Sequence, residues 1–221
     1  MEDAKKQFNR LQEMWGRLGW NYCRESDKQV VIARYKENVD WVSEIRIDKI
    51  IYNMFYFEPV YIGDVGWDSY AVAYHLSNNY YYLAPYTIFL QANPFKQSVP
   101  GLIKKINSSF LRKGYNPLGK RYDHHMISPV EFENQVSERL TGFCREFGFE
   151  IPGRFDFGQA CMFSVDWETV HRRPKSFYDH LVEYIIRSEN DRCILWSGDS
   201  GASSSPFSAH VLERMWWRIF S

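Results

Sequence analysis

Runs of β-branched and aromatic residues recur along the chain, separated by stretches in which apolar residues return every three or four positions. The runs at 29–35 (QVVIARY), 49–54 (KIIYNM), 86–90 (YTIFL) and 161–165 (CMFSV) predict strands. Helical spacing predicts helices over 69–80, 100–111, 131–147, 174–188 (opened by Pro174) and 208–220. Phe8, Leu11, Trp15 and Leu18 add an amphipathic helix over 3–18, ahead of the first strand. The stretch KGYNPLGKRYDHHMISP at 113–129 predicts a connecting loop, and GASSSP at 201–206 predicts another. Strands alternating with helices imply an α/β sandwich around a mostly parallel sheet, with one domain over 27–221 and residues 1–26 an added helix and linker.

In such folds ligands sit beyond the carboxyl ends of the strands, where loops and not packing choose the residues. Those ends read Arg34-Tyr35-Lys36-Glu37-Asn38, then Asn53, then Gln91-Ala92-Asn93-Pro94, and Asp166-Trp167-Glu168 after CMFSV. Pro94 cannot continue a ladder, so the chain turns away and leaves the amides of Gln91 and Asn93 at the crevice. Arg34, Tyr35, Asn53, Gln91 and Asn93 are therefore the candidate binding residues.

Composition narrows the partners. With 27 Lys and Arg against 27 Asp and Glu, the chain has no global field to draw a nucleic acid or an anionic membrane, so any anion must be bound locally. Cys23, Cys144, Cys161 and Cys193 show no C-x-x-C spacing, the usage expected of a reduced, cytoplasmic protein. No apolar run approaches the ~18 residues of a membrane span.

The blocks VVIARYKENVDWV, IIYNM, DVGWDSYAVAYHLSNNYYYLAPYTIFLQANPF, CMFSVDWETVHRRPKSFY and LERMWWRIF follow one another over about residues 30–220. In that order they resemble a fungal, bacterial and viral family of glycosyltransferase-like proteins. Its members read roughly ARYNEDLSWL, YNKG, NVGREAHTYLHHI, NYDxLxDxTVFLQGDPF, FAVSRExIxxRPxxFY and ExxWxxIF. More loosely, the chain is similar to the UDP-sugar-binding domain of a large algal-virus glycosyltransferase. The resemblance implies a single-domain nucleotide-sugar fold of the A type. It further implies transfer of a sugar from a UDP-sugar donor to a glycan or other hydroxyl acceptor, assisted by Mn²⁺ or Mg²⁺. This chain departs from the pattern at Lys36-Glu37, at Met54, at Gly66-Trp67-Asp68, and at Asn93, where the family carries an acid.

Such a transfer needs charge neutralised on a departing diphosphate, by a carboxylate-held divalent ion or by Arg and Lys. The chain contains no Asp-x-Asp. Asn93 and Asp64 are the candidate metal ligands, and the neutral oxygen of Asn93 implies weaker metal dependence than an acid would give. Arg172 and Arg214 are the cationic candidates, with Arg173, Lys175 and Arg218 beside them. The acceptor hydroxyl needs a carboxylate base. Glu213, in the terminal block, is the first candidate, although it could equally decorate an amphipathic helix. Asp68 is the second, with a helix N-cap as its competing role.

Other features read as structural. GDSG at 198–201 copies a serine-peptidase loop, but that class is an all-β double barrel and this chain is not. Adjacent His124 and His125 fit a surface or hydrogen-bonding role better than a metal, and His75 fits a buried, paired imidazole. Tyr80, Tyr81, Tyr82 and Tyr86 fit a packed helix-to-strand corner. Two further classes stay open: a non-catalytic nucleotide- or carbohydrate-binding module of the same fold, and an oligomerisation surface on exposed Trp216 and Trp217.

Overall fold

The computed structural model describes residues 27–54, 67–95, 100–108, 112–126, 131–151, 153–196 and 202–221. The expected helix at 3–18, Cys23, Asp64, Gly66 and the GDSG loop lie outside these residues. The described chain is mixed α/β with a mostly parallel central sheet. Its five strands stand in the order β2 (Asp48–Asn53), β1 (Lys28–Arg34), β3 (Tyr86–Gln91), β7 (Phe163–Asp166) and β4 (Asn116–Pro117). β2, β1 and β3 are parallel, with Arg34 beside Asn53 and Ala33 beside Gln91, while β7 runs antiparallel to both its neighbours.

The two-residue period of the strands divides the core. Val31, Ala33, Tyr52, Phe89 and Phe163 point to one face, where they meet α1 (Trp67–Asn78), α3 (Glu131–Phe147), α5 (Lys175–Arg187) and α6 (Phe207–Phe220). Val30, Ile32, Ile88, Leu90 and Met162 point to the other, under the 3-10 turn Asp40–Glu44 and the short α2 (Leu102–Asn107). A strand buried on both faces must be apolar at every position, which is why VVIA reads as an unbroken run. α1 shows little amphipathicity for the same reason: Ser69, Ala71, Val72, Ala73, Leu76 and Ser77 are all buried. His75 is sealed in this helix and pairs through Nδ1 with the Tyr52 hydroxyl at 3.0 Å.

Two antiparallel ribbons flank the sheet, β5 (Arg121–His125) with β6 (Arg154–Gly158), and β8 (Arg192–Trp196) with β9 (Ala202–Pro206). Segments 113–129 and 201–206, expected as loops, thus supply strands. Charged and serine-rich sequences such as RYDHH and ASSSP pair through their backbones, a contribution hydrophobic periodicity does not report. The expected helix over 100–111 is described as α2 only, with 109–111 outside the described residues.

The direction of β7 overturns one expectation. A short apolar run reads the same forwards and backwards, so CMFSV revealed a strand but not its polarity. Because β7 is antiparallel, Asp166 faces Tyr86 at the start of β3, and Trp167, Glu168 and Arg172 follow it on the edge opposite the carboxyl ends of β1–β3. There Asp166 caps the short α4 (Trp167–Val170), accepting from the Thr169 amide at 3.1 Å.

α6 is the keystone of the larger core. Trp216 is fully buried, donates from Nε1 to Cys161 Sγ at 3.3 Å, and stacks on Phe220 with ring centroids 5.9 Å apart. Trp216 is therefore unavailable as an exposed docking aromatic, whereas Trp217 is 43% exposed. Cys144, Cys161 and Cys193 are buried free thiols. No helix among the described residues is long and apolar enough to cross a membrane.

Trp216→Ala is expected to destabilise the fold by about 3–5 kcal/mol. Urea unfolding should show this as a lower midpoint at unchanged slope. A loss well under about 1 kcal/mol would mean that α6 does not complete the core.

Candidate functional site at the carboxyl edge of the sheet

The parallel register brings the first candidates together. Arg34 Nη1 donates to Asn53 Oδ1 at 3.3 Å, and Arg34 Nε donates to the Glu37 carbonyl at 3.0 Å. The Glu37 carboxylate folds back to accept from the amides of Tyr35 at 2.8 Å and Lys36 at 3.0 Å, which shapes the turn leaving β1. Next along the edge, Gln91 Nε2 donates to the Asn93 carbonyl at 2.7 Å. Ala92 and Pro94 are buried while Asn93 and Tyr35 are exposed, so the amide of Asn93 stands in solvent at the mouth of the edge. Trp41 Nε1 fixes this turn by donating to the Ala92 carbonyl at 2.8 Å.

Asp68 and Glu213 approach the same edge from different elements, Asp68 beside the Ser69 that meets Cys161 and Glu213 on the amide of the adjacent Ala160. Asp68 lies in the first turn of α1, and Glu213 lies midway along α6. Burial, then the charges of Glu37 and Glu213, push the Asp68 carboxyl up to about 8. At neutral pH it is a protonated acid and a hydrogen-bond donor. Burial also raises Glu213, against the Ala160 amide that donates to its Oε1 and the Arg214 guanidinium at 3.6 Å from its Oε2. The Glu213 side chain keeps 17% of its surface accessible.

The backbone around the two carboxyls is held in an uncommon conformation. The non-glycine residues with positive φ among the described residues are Trp67 at 52°, Ala160 at 63° and Cys161 at 50°. Trp67 precedes Asp68, Ala160 holds Glu213, and Cys161 Sγ lies 3.1 Å from the Ser69 hydroxyl. Left-handed backbone at such residues costs about 1–3 kcal/mol each and persists where its surroundings over-determine it, commonly at functional sites.

Behind Glu213 lies a polar network. Arg214 is 5% exposed; its Nη1 donates to the His210 carbonyl at 3.0 Å, its Nη2 reaches Glu133 Oε1 at 3.5 Å, and its guanidinium carbon lies 4.6 Å from the Phe157 ring centre. Its Nε is buried with no hydrogen-bond partner among the described residues. Glu133 also pairs with His124 Nδ1, and His124 Nε2 lies 3.0 Å from the Ser137 hydroxyl. Burial, then Arg214, lower His124, and the same two causes lower His210 to about 4, so both imidazoles are neutral at pH 7. His124 thus takes the hydrogen-bonding role expected of it.

The remaining candidates separate. Arg172 sits in the turn after α4 at the opposite edge, its amide bonded to the Thr169 carbonyl at 3.3 Å, and is removed from the site by the polarity of β7. Neighbouring Arg173 stacks on Phe149 and Phe177 and donates to the Ile219 carbonyl at 3.2 Å, a packing role. Tyr80 packs the helix-to-strand corner as expected, its hydroxyl donating to the Arg173 carbonyl at 2.7 Å. Asp64 lies outside the described residues, and no three His, Cys, Asp or Glu among the described residues are placed to hold an ion.

Glu37, Glu133, Ala160 and His124 belong to the site without having been singled out for it from sequence. Glu37 carries a signal in the sequence, its place just past the carboxyl end of the first strand. Glu133 and Ala160 carry no local signal, because their roles arise from contacts with α6. Comparison with family models, with curated proteins and with solved structures finds no match for this chain.

The raised Asp68 carboxyl fixes a sign. Between the ordinary carboxylate value of 3.8 and about 8, the folded chain binds a proton that the unfolded chain has released. Stability contributed at this site therefore falls as pH rises through that window. Asp68→Asn is expected to melt above the wild type at pH 8, with the gap closing toward pH 4. An unchanged gap across the window would mean that Asp68 is not perturbed.

Proposed function

We propose that this chain is a glycosyltransferase that moves a hexosyl or deoxyhexosyl group from a nucleotide-sugar donor, a UDP-sugar by resemblance, to a hydroxyl acceptor. The observation that carries the proposal is the meeting of Asp68 and Glu213 at the carboxyl edge, beside the Arg34–Asn53 pair. Ligands of open α/β sheets bind at such edges.

In this reading the donor diphosphate lies along Arg34, Asn53 and Gln91, with Asn93 at the mouth. Arg34 supplies the cationic contact. Asp68, kept neutral by its surroundings, stands near the diphosphate without repelling it and donates a hydrogen bond to the oxygen on which charge accumulates. Glu213 takes the proton of the acceptor hydroxyl as that oxygen bonds to the sugar carbon and the carbon–oxygen bond to the diphosphate breaks. The Ala160 amide and Arg214 hold the Glu213 carboxylate still during that step.

A second reading has its own observation. The Glu213 carboxylate already accepts from the Ala160 amide and faces Arg214, as a purely structural clamp between α6 and the turn before β7 would. Such a protein would bind nucleotide and never consume a donor.

Saturating UDP, at about a hundred times its dissociation constant, is expected to stabilise the fold by about 2.7 kcal/mol. Melting with UDP, GDP and CMP in Mn²⁺, in Mg²⁺ and in chelator tests this, and no shift in any combination removes nucleotide binding.

Glu213→Gln should lower turnover by about 10²–10⁴ with donor affinity unchanged. The kcat/KM profile should fall on the alkaline side near the Asp68 value of about 8, and Asp68→Asn should abolish that limb. Full activity in Glu213→Gln would exclude it as the base. Nucleotide binding without donor consumption by the wild type would favour the clamp.

A further inference from the structure

One cleft of about 190 Å³ opens beside this site, lined by Tyr115, Pro117, Arg121, Asp156, Phe157, Gly158 and Trp217. It is smaller than the ~300–1,000 Å³ of sites for drug-sized ligands, so its natural occupant is one ring and not a dinucleotide. Its position relative to the candidate base follows from two connections. Trp217 stands one helical turn after Glu213 on α6, so the two side chains share a face. Gly158 ends β6 directly before the turn Gln159–Cys161, whose Ala160 amide holds Glu213. Tyr115 lines the cleft, and burial, then the charges of Cys161 and Glu213, push its hydroxyl up.

The lining has a definite chemistry. Trp217, Tyr115 and Phe157 supply aromatic surface, and Trp217 is 43% exposed although Trp216 beside it is fully buried. Arg121 is exposed, and its charge acts on the Asp156 carboxyl across the rim. Asp156 is an exposed carboxylate held by Arg154 at 3.0 Å. One cation and one anion at the rim cancel, so the cleft does not favour a phosphate. Hydroxyl groups suit it better, since each can donate to Asp156 and accept from Arg121. A pyranose ring presents apolar C–H faces to aromatic walls and a belt of hydroxyls to such a rim, and a nucleobase or an aliphatic side chain lacks that belt.

We propose that this cleft is the acceptor subsite, holding the terminal sugar residue of a glycan with one hydroxyl turned toward Glu213. Its role as an acceptor subsite rests on the transferase reading above, whereas its occupancy by a sugar does not.

Saturation-transfer difference NMR on the full chain tests it, using methyl glycosides of glucose, galactose, mannose, fucose, rhamnose and N-acetylglucosamine as probes. At least one glycoside should show transfer to its ring protons. Trp217→Ala should reduce that transfer at least tenfold, Trp217→Phe should retain most of it, and both variants should keep the wild-type melting shift with UDP. Melting curves confirm that each variant is folded, and Asp156→Asn provides a second variant in which transfer should weaken with α6 untouched. The proposal is overturned if no glycoside shows transfer, if transfer survives Trp217→Ala undiminished, or if UDP binding is lost with Trp217, which would make the cleft a base pocket. If a glycoside binds at Trp217 while the wild type gives no shift with any nucleotide, the sugar site stands and the acceptor role falls with the transferase reading.

Discussion

The guanidinium of Arg214 is a positive charge sealed at 5% exposure, and much of the architecture around the candidate site answers to it. A buried charge is tolerable only when paired, and removing one partner of such a pair typically costs about 3–5 kcal/mol. Here the partners come from separate pieces of chain: Glu213 from the same helix, Glu133 from α3, and the ring of Phe157 from the β5–β6 ribbon. Satisfying one cation therefore fixes the seating of α6 against a helix and a ribbon together. It also sets where Glu213 can point, because the carboxylate is held between Arg214 and the Ala160 amide.

That seating explains why the strained backbone gathers in one place. Ala160 and Cys161 lie in the turn between the ribbon and β7, and they must present an amide to Glu213 and a thiol to Trp216 within consecutive residues. An ordinary extended or helical link would turn one of these groups away. The left-handed conformation satisfies both, and the surrounding packing of α6 and α1 keeps it from relaxing. Rigidity of this kind holds the Asp68 and Glu213 carboxyls at a fixed separation.

The legible part of this structure is the part governed by burial. VVIA, YTIFL and CMFSV announced strands because β-branched and aromatic residues are used where both faces are covered, and α3, α5 and α6 followed their apolar spacing. The edge grouping of Arg34, Asn53 and Gln91 was readable as well, since parallel strands share a carboxyl edge. Strand polarity was not, because no residue in a short apolar run encodes direction, and the misplacement of Arg172 followed from that one gap. The ribbons were hidden for another reason: RFDFG and ASSSP earn their place by backbone pairing with a partner that is distant or polar. Asp68 shows the limit most clearly. Its identity and its place at a helix start were visible, but the protonation that defines its chemistry depends first on its burial in the folded chain and then on Glu37 and Glu213 arriving from elsewhere.

The antiparallel seat of β7 between β3 and β4 also bears on the order in which the molecule can assemble. β1, β2 and β3 lie within the first part of the described chain and can find one another early, but the inner edge of β3 has no sheet partner until residues 163–166 have been made. The aromatic lid over that junction, Trp216 with Phe220, comes later still. Closure of long loops is the slow step for folds dominated by distant contacts. The half-sheet therefore waits with an uncovered apolar edge, and that interval, more than any weakness of the finished fold, is when a nascent chain of this protein is most exposed to strand-to-strand aggregation.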